Sequence, residues 1–155
     1  MKKAPLTILN THLITDFEFD WSEKNPYFQS VRAQVEEAIQ IVNEMAAEGN
    51  AVIVVGDFNM AKNSMLYERF IKSTNSNDIF REYSHPTYYR DRLNYLFKGK
   101  KSDRIDYIFL KNGRQKIDVI STSHFFDKEV PLSNRKKSYL SDHIGLKVNL
   151  SLQTK

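Results

Sequence analysis

A chain of 155 residues with no cysteine, 41% hydrophobic and 27% charged, has the length of one globular domain and excludes a disulfide framework or a thiolate metal site. Its net charge of +4 favours anionic partners (phosphate esters, nucleic acid, an acidic membrane surface) without choosing among them. No stretch reaches the ~18 apolar residues of a membrane span. The basic start, Met1-Lys2-Lys3-Ala4-Pro5, meets polar Asn10-Thr11-His12 too soon for a signal peptide, so a cytoplasmic location is expected.

Leu6 to Leu13, LTILNTHL, alternates apolar and polar residues and predicts a strand. Asn25-Pro26 predicts a helix start with proline at the first helical position. Val31, Val35, Ala38, Ile39, Val42 and Ala46 follow at helical spacing towards a C-cap at Gly49. Ala51 to Val55 reads as a buried strand that stops at Gly56. A second helix is predicted over 64–73, with Ser64 as N-cap and Leu66 and Phe70 one turn apart. Residues 74–103 are polar and broken by Pro86 and Gly99, with a short strand near Thr87. RIDYIFL, IDVISTSHFF and HIGLKVNLSL predict three further strands. The opening strand–helix–strand implies a parallel βαβ unit and the later strands imply hairpin neighbours. The expectation is a single α/β domain over 1–155, a mixed β-sheet with flanking helices.

Polar residues gather at the strand ends. His12 ends the first strand, Asp57 and Asn59 follow the second, Asp106 lies in RIDYIF, and Asp142 and His143 open the last in LSDHIGL. Strands side by side bring two histidines, three carboxylates and an amide to one rim, where α/β sheets bind ligands. Taken alone, an Asp-Phe-Asn after a strand is more often a turn, and SDH before a strand is an ordinary Asx turn. Asp106 in an apolar strand is harder to dismiss, because an unpaired buried carboxylate is costly. Together the residues suit phosphoester hydrolysis. A hard divalent cation offsets anionic charge, a histidine held by a carboxylate acts as base towards water, and a carboxamide donates to a phosphoryl oxygen.

In their order and spacing, NTHL, GDFNM, RIDYIF and LSDH resemble the endonuclease/exonuclease/phosphatase superfamily, from Leu6 to about Leu150. Within it, NPYF, SVRAQ, the Met after GDFN and the wording of RIDYIF are most similar to the neutral sphingomyelinases. The resemblance implies Mg2+ or Mn2+ as cofactor and a role for each residue. His12 would contact the scissile phosphate and protonate the leaving group. Asp57 would orient the attacking water and touch the metal, and Asn59 would steady the phosphate, position Asp57 and share in the metal site. Asp106 would hold a histidine in its working tautomer, Asp142 would ligate or support the metal, and His143 would be the general base.

Members of that superfamily are about twice as long and form a four-layer αββα sandwich, the DNase-I-like fold, in which NTHL opens the second half. The first half supplies an early Asn and a metal-binding Glu that Met1 to Pro5 cannot replace. The acidic segment Asp16, Glu18, Asp20, Glu23 lies in a different place and reads as a solvated loop. The chain therefore looks like the C-terminal half of such an enzyme, with an N-terminal half or a second copy expected as partner across a bared apolar sheet face. The favoured substrate is a phosphodiester of the sphingomyelin kind, with Trp21, Tyr27, Phe28, Phe125 and Phe126 as candidates to touch lipid. The alternatives are a nuclease using the basic stretches KGKKSDR (98–104) and NRKK (134–137), or a non-catalytic fragment that binds a partner.

Overall fold

The computed structural model describes residues 5–15, 20–92, 102–133 and 136–153. Met1 to Ala4, Asp16 and Glu18, residues 98–101 of KGKKSDR, and Asn134 and Arg135 lie outside the described residues. The elements run β1 (Leu6–His12), α1 (Phe28–Ala47), β2 (Ala51–Asp57), α2 (Met65–Thr74), β3 (Asn77–Asp78), β4 (Asp106–Lys111), β5 (Ile117–Phe125), β6 (Val130–Pro131), β7 (Lys137–Ser138) and β8 (Gly145–Leu152).

Four strands form one mixed sheet in the order β1-β2-β4-β3, with β1 parallel to β2 and the other pairs antiparallel. The βαβ unit and the mixed sheet with flanking helices are as expected. Both helices lie on one face. Val31, Val35 and Val42 of α1 and Leu66, Tyr67 and Phe70 of α2 are buried with Val52, Val54, Tyr107 and Phe109 of the sheet. Burial at roughly 1.5–3 kcal/mol per large apolar side chain makes this the main stabilising layer. The other face carries Ala51, Ile53, Ile108 and Leu110, covered by Leu146, Val148 and Leu150 of β8. β5 and β8 pair with each other as a separate two-stranded ribbon.

Three differences from the sequence-based expectation have physical causes. The Asn25-Pro26 pair forms a turn before α1, not its first turn. The Asn25 side chain accepts the N–H of Tyr27 at 2.7 Å and donates to the carbonyl of Asp20, so the helix starts at Phe28. Asp142 and His143 do not open the last strand, because residue 143 bridges to Tyr88 and β8 begins at Gly145. The bared sheet face is smaller than expected, because the β5–β8 ribbon covers it over β2 and β4. What stays open is the outer strand β1, with Ile8 62% and Leu6 39% exposed.

Candidate active site

The strand register builds the site. His12 pairs with Asp57 across β1–β2, and Asp57 pairs with Asp106 across β2–β4, so three polar residues stand in one row at the sheet's rim. Alternation puts them on the same face as Ala51, Ile53 and Ile108, the face turned to the ribbon. The strand ends are pinned beyond the row. Leu13 N–H donates to the Asp57 carbonyl and Phe58 N–H to the Ile105 carbonyl, both at 2.9 Å.

Phe58 explains why a water-averse strand can end in a carboxylate. Its side chain is fully buried on the helix side, edge-on to Phe70, Tyr107 and Phe109 with ring centroids 5.2–5.8 Å away. That anchor holds Asp57 on the opposite face. Gly56 is required just before it. Its φ is +137°, and a Cβ there would lie 1.8 Å from the carbonyl oxygen of Thr11.

His143 arrives from the loop before β8, outside the row. Its Nδ1 lies 2.9 Å from Asp106 Oδ2, and its Nε2 lies 3.9 Å from Asp57 Oδ2. A carboxylate only accepts, so Nδ1 carries a proton, and in the neutral imidazole the lone pair is on Nε2, on the Asp57 side. Burial opposes the imidazolium. The bond to Asp106 and the charges of Asp106, Asp57 and Asp142 together outweigh it, and the pKa lies above the ordinary value of 6.5. Burial first, and then the charge of Asp106, push the Asp57 carboxyl up to about 6, against the pull of the Asn59 N–H, His143 and His12. His12 Nε2 lies 3.5 Å from Asp57 Oδ2, on a side chain that is three-quarters exposed.

Asn59 is 3% exposed and occupies the left-handed region at φ 45°. Its backbone N–H donates to Asp57 Oδ1 at 2.8 Å, its side-chain Nδ2 donates to the Leu13 carbonyl at 2.9 Å, and its Oδ1 accepts from the Thr15 hydroxyl at 2.7 Å. The amide oxygen and one amide N–H thus fasten the loop after β1. The structure brings His12, Asp57, Asp106 and His143 together, with Asn59 behind Asp57. Asp142 acts on the group through its charge on His143 and Tyr88.

The donor set that could hold a cation is Asp57, Asp106 and His143, whose ligand atoms lie within 4.8 Å of one another. Asp57 and Asp106 stand opposite each other in the β2–β4 register, so two carboxylates share this part of the rim. Two carboxylates fit a hard divalent cation that takes its remaining oxygen ligands from water and substrate. A cleft of about 460 Å3 leads away from these residues between sheet and ribbon, walled by Asn10, Val55, Ile108, Phe125, Phe126 and Leu146. Of the aromatic residues singled out, Phe28 is core and Trp21 and Tyr27 are half-buried, whereas Phe125 and Phe126 are 43% and 45% exposed. The segment 87–89, which lies against both Asp103 and His143, carried no sequence signal beyond a short β tendency.

Among the described residues no helix is long and apolar enough to cross a membrane. No curated protein matches the chain. Among solved structures, the human nocturnin catalytic domain is similar over 94% of this chain and 46% of its own, at 22% identity and a TM-score of 0.61. A mannosyl-6-phosphatase of Bacteroides thetaiotaomicron is similar over 93% and 50%, at 21% and 0.60. Truncated TDP2 of Caenorhabditis elegans is similar over 90% and 51%, at 17% and 0.57. The chain thus spans about half the length of each. These identities speak for a shared fold. A model of the Endonuclease/Exonuclease/phosphatase family matches residues 5–143, from the first strand through the Asp142-His143 pair, and the chain belongs to that family.

Proposed function

We propose that the chain is the C-terminal half of a Mg2+- or Mn2+-dependent phosphodiesterase of the DNase-I-like fold, sphingomyelinase-like in substrate. The observation that carries this reading is the 2.9 Å contact of His143 Nδ1 with Asp106, which leaves Nε2 free beside Asp57. Water attacks phosphorus as His143 Nε2 takes its proton, the bond to the leaving oxygen breaks, and His12 returns a proton to that oxygen. Asp57 orients the water, and Asn59 fixes Asp57 through its backbone N–H. Asp57 and Asp106 would hold the cation, with Asp142 adding charge nearby. The cation supplies neutralisation of the phosphoryl oxygens.

Half-length coverage of the solved relatives supports the reading as a half. So does the uncovered β1, where a complementary N-terminal half would pack. For the 155 residues alone, a second copy is the expected occupant of that place, since exposed apolar faces drive association. Phe125 and Phe126, exposed where the cleft opens, support a lipid substrate over a nucleic acid.

The test is Mg2+-dependent turnover by the 155-residue chain on sphingomyelin vesicles and on plasmid DNA. Weak hydrolysis, greater on the vesicles, is expected. His143→Ala should lower it by ~10²–10⁴-fold with little change in thermal midpoint. Activity untouched by that substitution would overturn the assignment, robust turnover by the chain alone would overturn the half reading, and cleavage confined to DNA would make it a nuclease.

A further inference from the structure

The strip Thr87 to Tyr89 joins the two parts of the His143–Asp106 pair. Thr87 is polar and fully buried. Its hydroxyl oxygen accepts the N–H of Ile105 at 3.1 Å and of Asp106 at 3.0 Å. Its own N–H donates to the Asp103 carbonyl at 3.1 Å, and its carbonyl accepts the N–H of Ile144 at 2.6 Å. One residue therefore grips the backbone of Asp106 with its side chain and the backbone next to His143 with its main chain. Tyr88 extends the clamp by bridging to Asp103 and to His143, and Tyr89 N–H donates to the Asp142 carbonyl at 2.8 Å.

A clamp is needed because the two functional residues belong to different layers. Asp106 begins β4 of the four-stranded sheet, whereas His143 precedes β8 of the ribbon. Neither ladder sets the distance between them. A slip of about 1 Å would take the 2.9 Å contact beyond hydrogen-bond range. Valine matches threonine in shape but accepts nothing, so it would leave two N–H groups without their acceptor, a loss that buried groups do not tolerate cheaply.

We propose that Thr87 is a positioning residue that sets the Asp106–His143 hydrogen bond. The inference rests on the reading of that pair as the working dyad. The experiment follows the imidazole Nδ1 proton of His143 by NMR in the 155-residue chain, at one pH and without metal. A proton held by a carboxylate resonates far downfield. Assignment comes from its loss in His143→Ala. Thr87→Ser, which keeps the oxygen, should retain the signal. Thr87→Val should lose it or move it upfield, with at least tenfold faster exchange of the Ile105 and Asp106 amides than of amides in β2. A parent-like signal in Thr87→Val overturns the proposal, as does a signal lost equally in Thr87→Ser. Should the valine variant not fold, Thr87→Ala provides the same comparison, and the serine variant must still keep the signal. Turnover by His143→Ala is measured separately. A dyad signal that follows Thr87 alongside turnover indifferent to His143 would refute the enzymatic reading and leave the positioning role standing.

Discussion

Asp57 should cost the fold stability, and replacing it with asparagine should show how much. The carboxyl is largely removed from solvent, with a side-chain exposure of 15%, and its pKa rises from 3.8 to about 6. About two units, at 1.36 kcal/mol each, give roughly 3 kcal/mol. The sign follows from linkage. A carboxyl whose folded pKa is raised favours the native state fully only below the unfolded value of 3.8, and that contribution is lost as pH climbs through about 6. The carboxamide introduced by Asp57→Asn has no such proton, and its oxygen still accepts the Asn59 N–H. The Asp57→Asn variant should therefore gain under about 1 kcal/mol over the parent at pH 4 and about 3 kcal/mol at pH 8. Urea unfolding with a chelator present measures both. His143 titrates in the same direction and draws part of its shift from Asp57, so the comparison is repeated in a His143→Ala background, where the difference between variant and parent is the readout. Millimolar Mg2+ should narrow the gap at pH 8, because a cation that binds only the native parent stabilises it by mass action. A variant no more stable than the parent at pH 8, or a gain equal at both pH values, would refute the reasoning.

Gly56→Ala should destabilise by several kcal/mol, since a Cβ would meet the Thr11 carbonyl at 1.8 Å and φ +137° is closed to alanine; unfolding within about 1 kcal/mol of the parent would show that β1 can move aside. The isolated chain should elute as a dimer or larger species in light scattering coupled to size exclusion. Ile8→Lys, which charges the most exposed apolar position of the open strand, should return it to monomer, and a parent that is already monomeric would refute the association.

The sequence showed most of the site's parts and only some of its geometry. Period-2 alternation in LTILNTHL and the apolar run AVIVV carried β1 and β2, because β1 alternates half-buried and exposed residues and the start of β2 is buried on both faces. The parallel direction of β1 and β2 followed from the βαβ connection, whereas the register that aligns His12 with Asp57 is seen only in the fold. Asp106 was conspicuous as a carboxylate among buried residues. Two things were out of reach. One was the separate pairing of β5 with β8, a choice between sheets that depends on long-range packing against Ile53, Ile108 and Leu110 rather than on any local signal. The other was what each polar atom would touch. Asn59 reads in the sequence as a donor to phosphate, and nothing local shows that the carbonyl of Leu13 and the hydroxyl of Thr15, forty-six and forty-four residues away, engage its amide oxygen and one of its two amide N–H groups. Thr87 looked like one residue of a weak strand, and its importance comes only from the layers that meet at it. Residue types at strand ends therefore reported the chemistry available, while the division between side chains that meet at the rim and side chains that hold them in place emerged only from tertiary contacts. The same division explains why the cost falls on Asp57. The fold fixes it from behind with Phe58, Asn59 and Gly56, and holds it buried beside Asp106, a cost that the Asn59 N–H, His143 and His12 offset only in part.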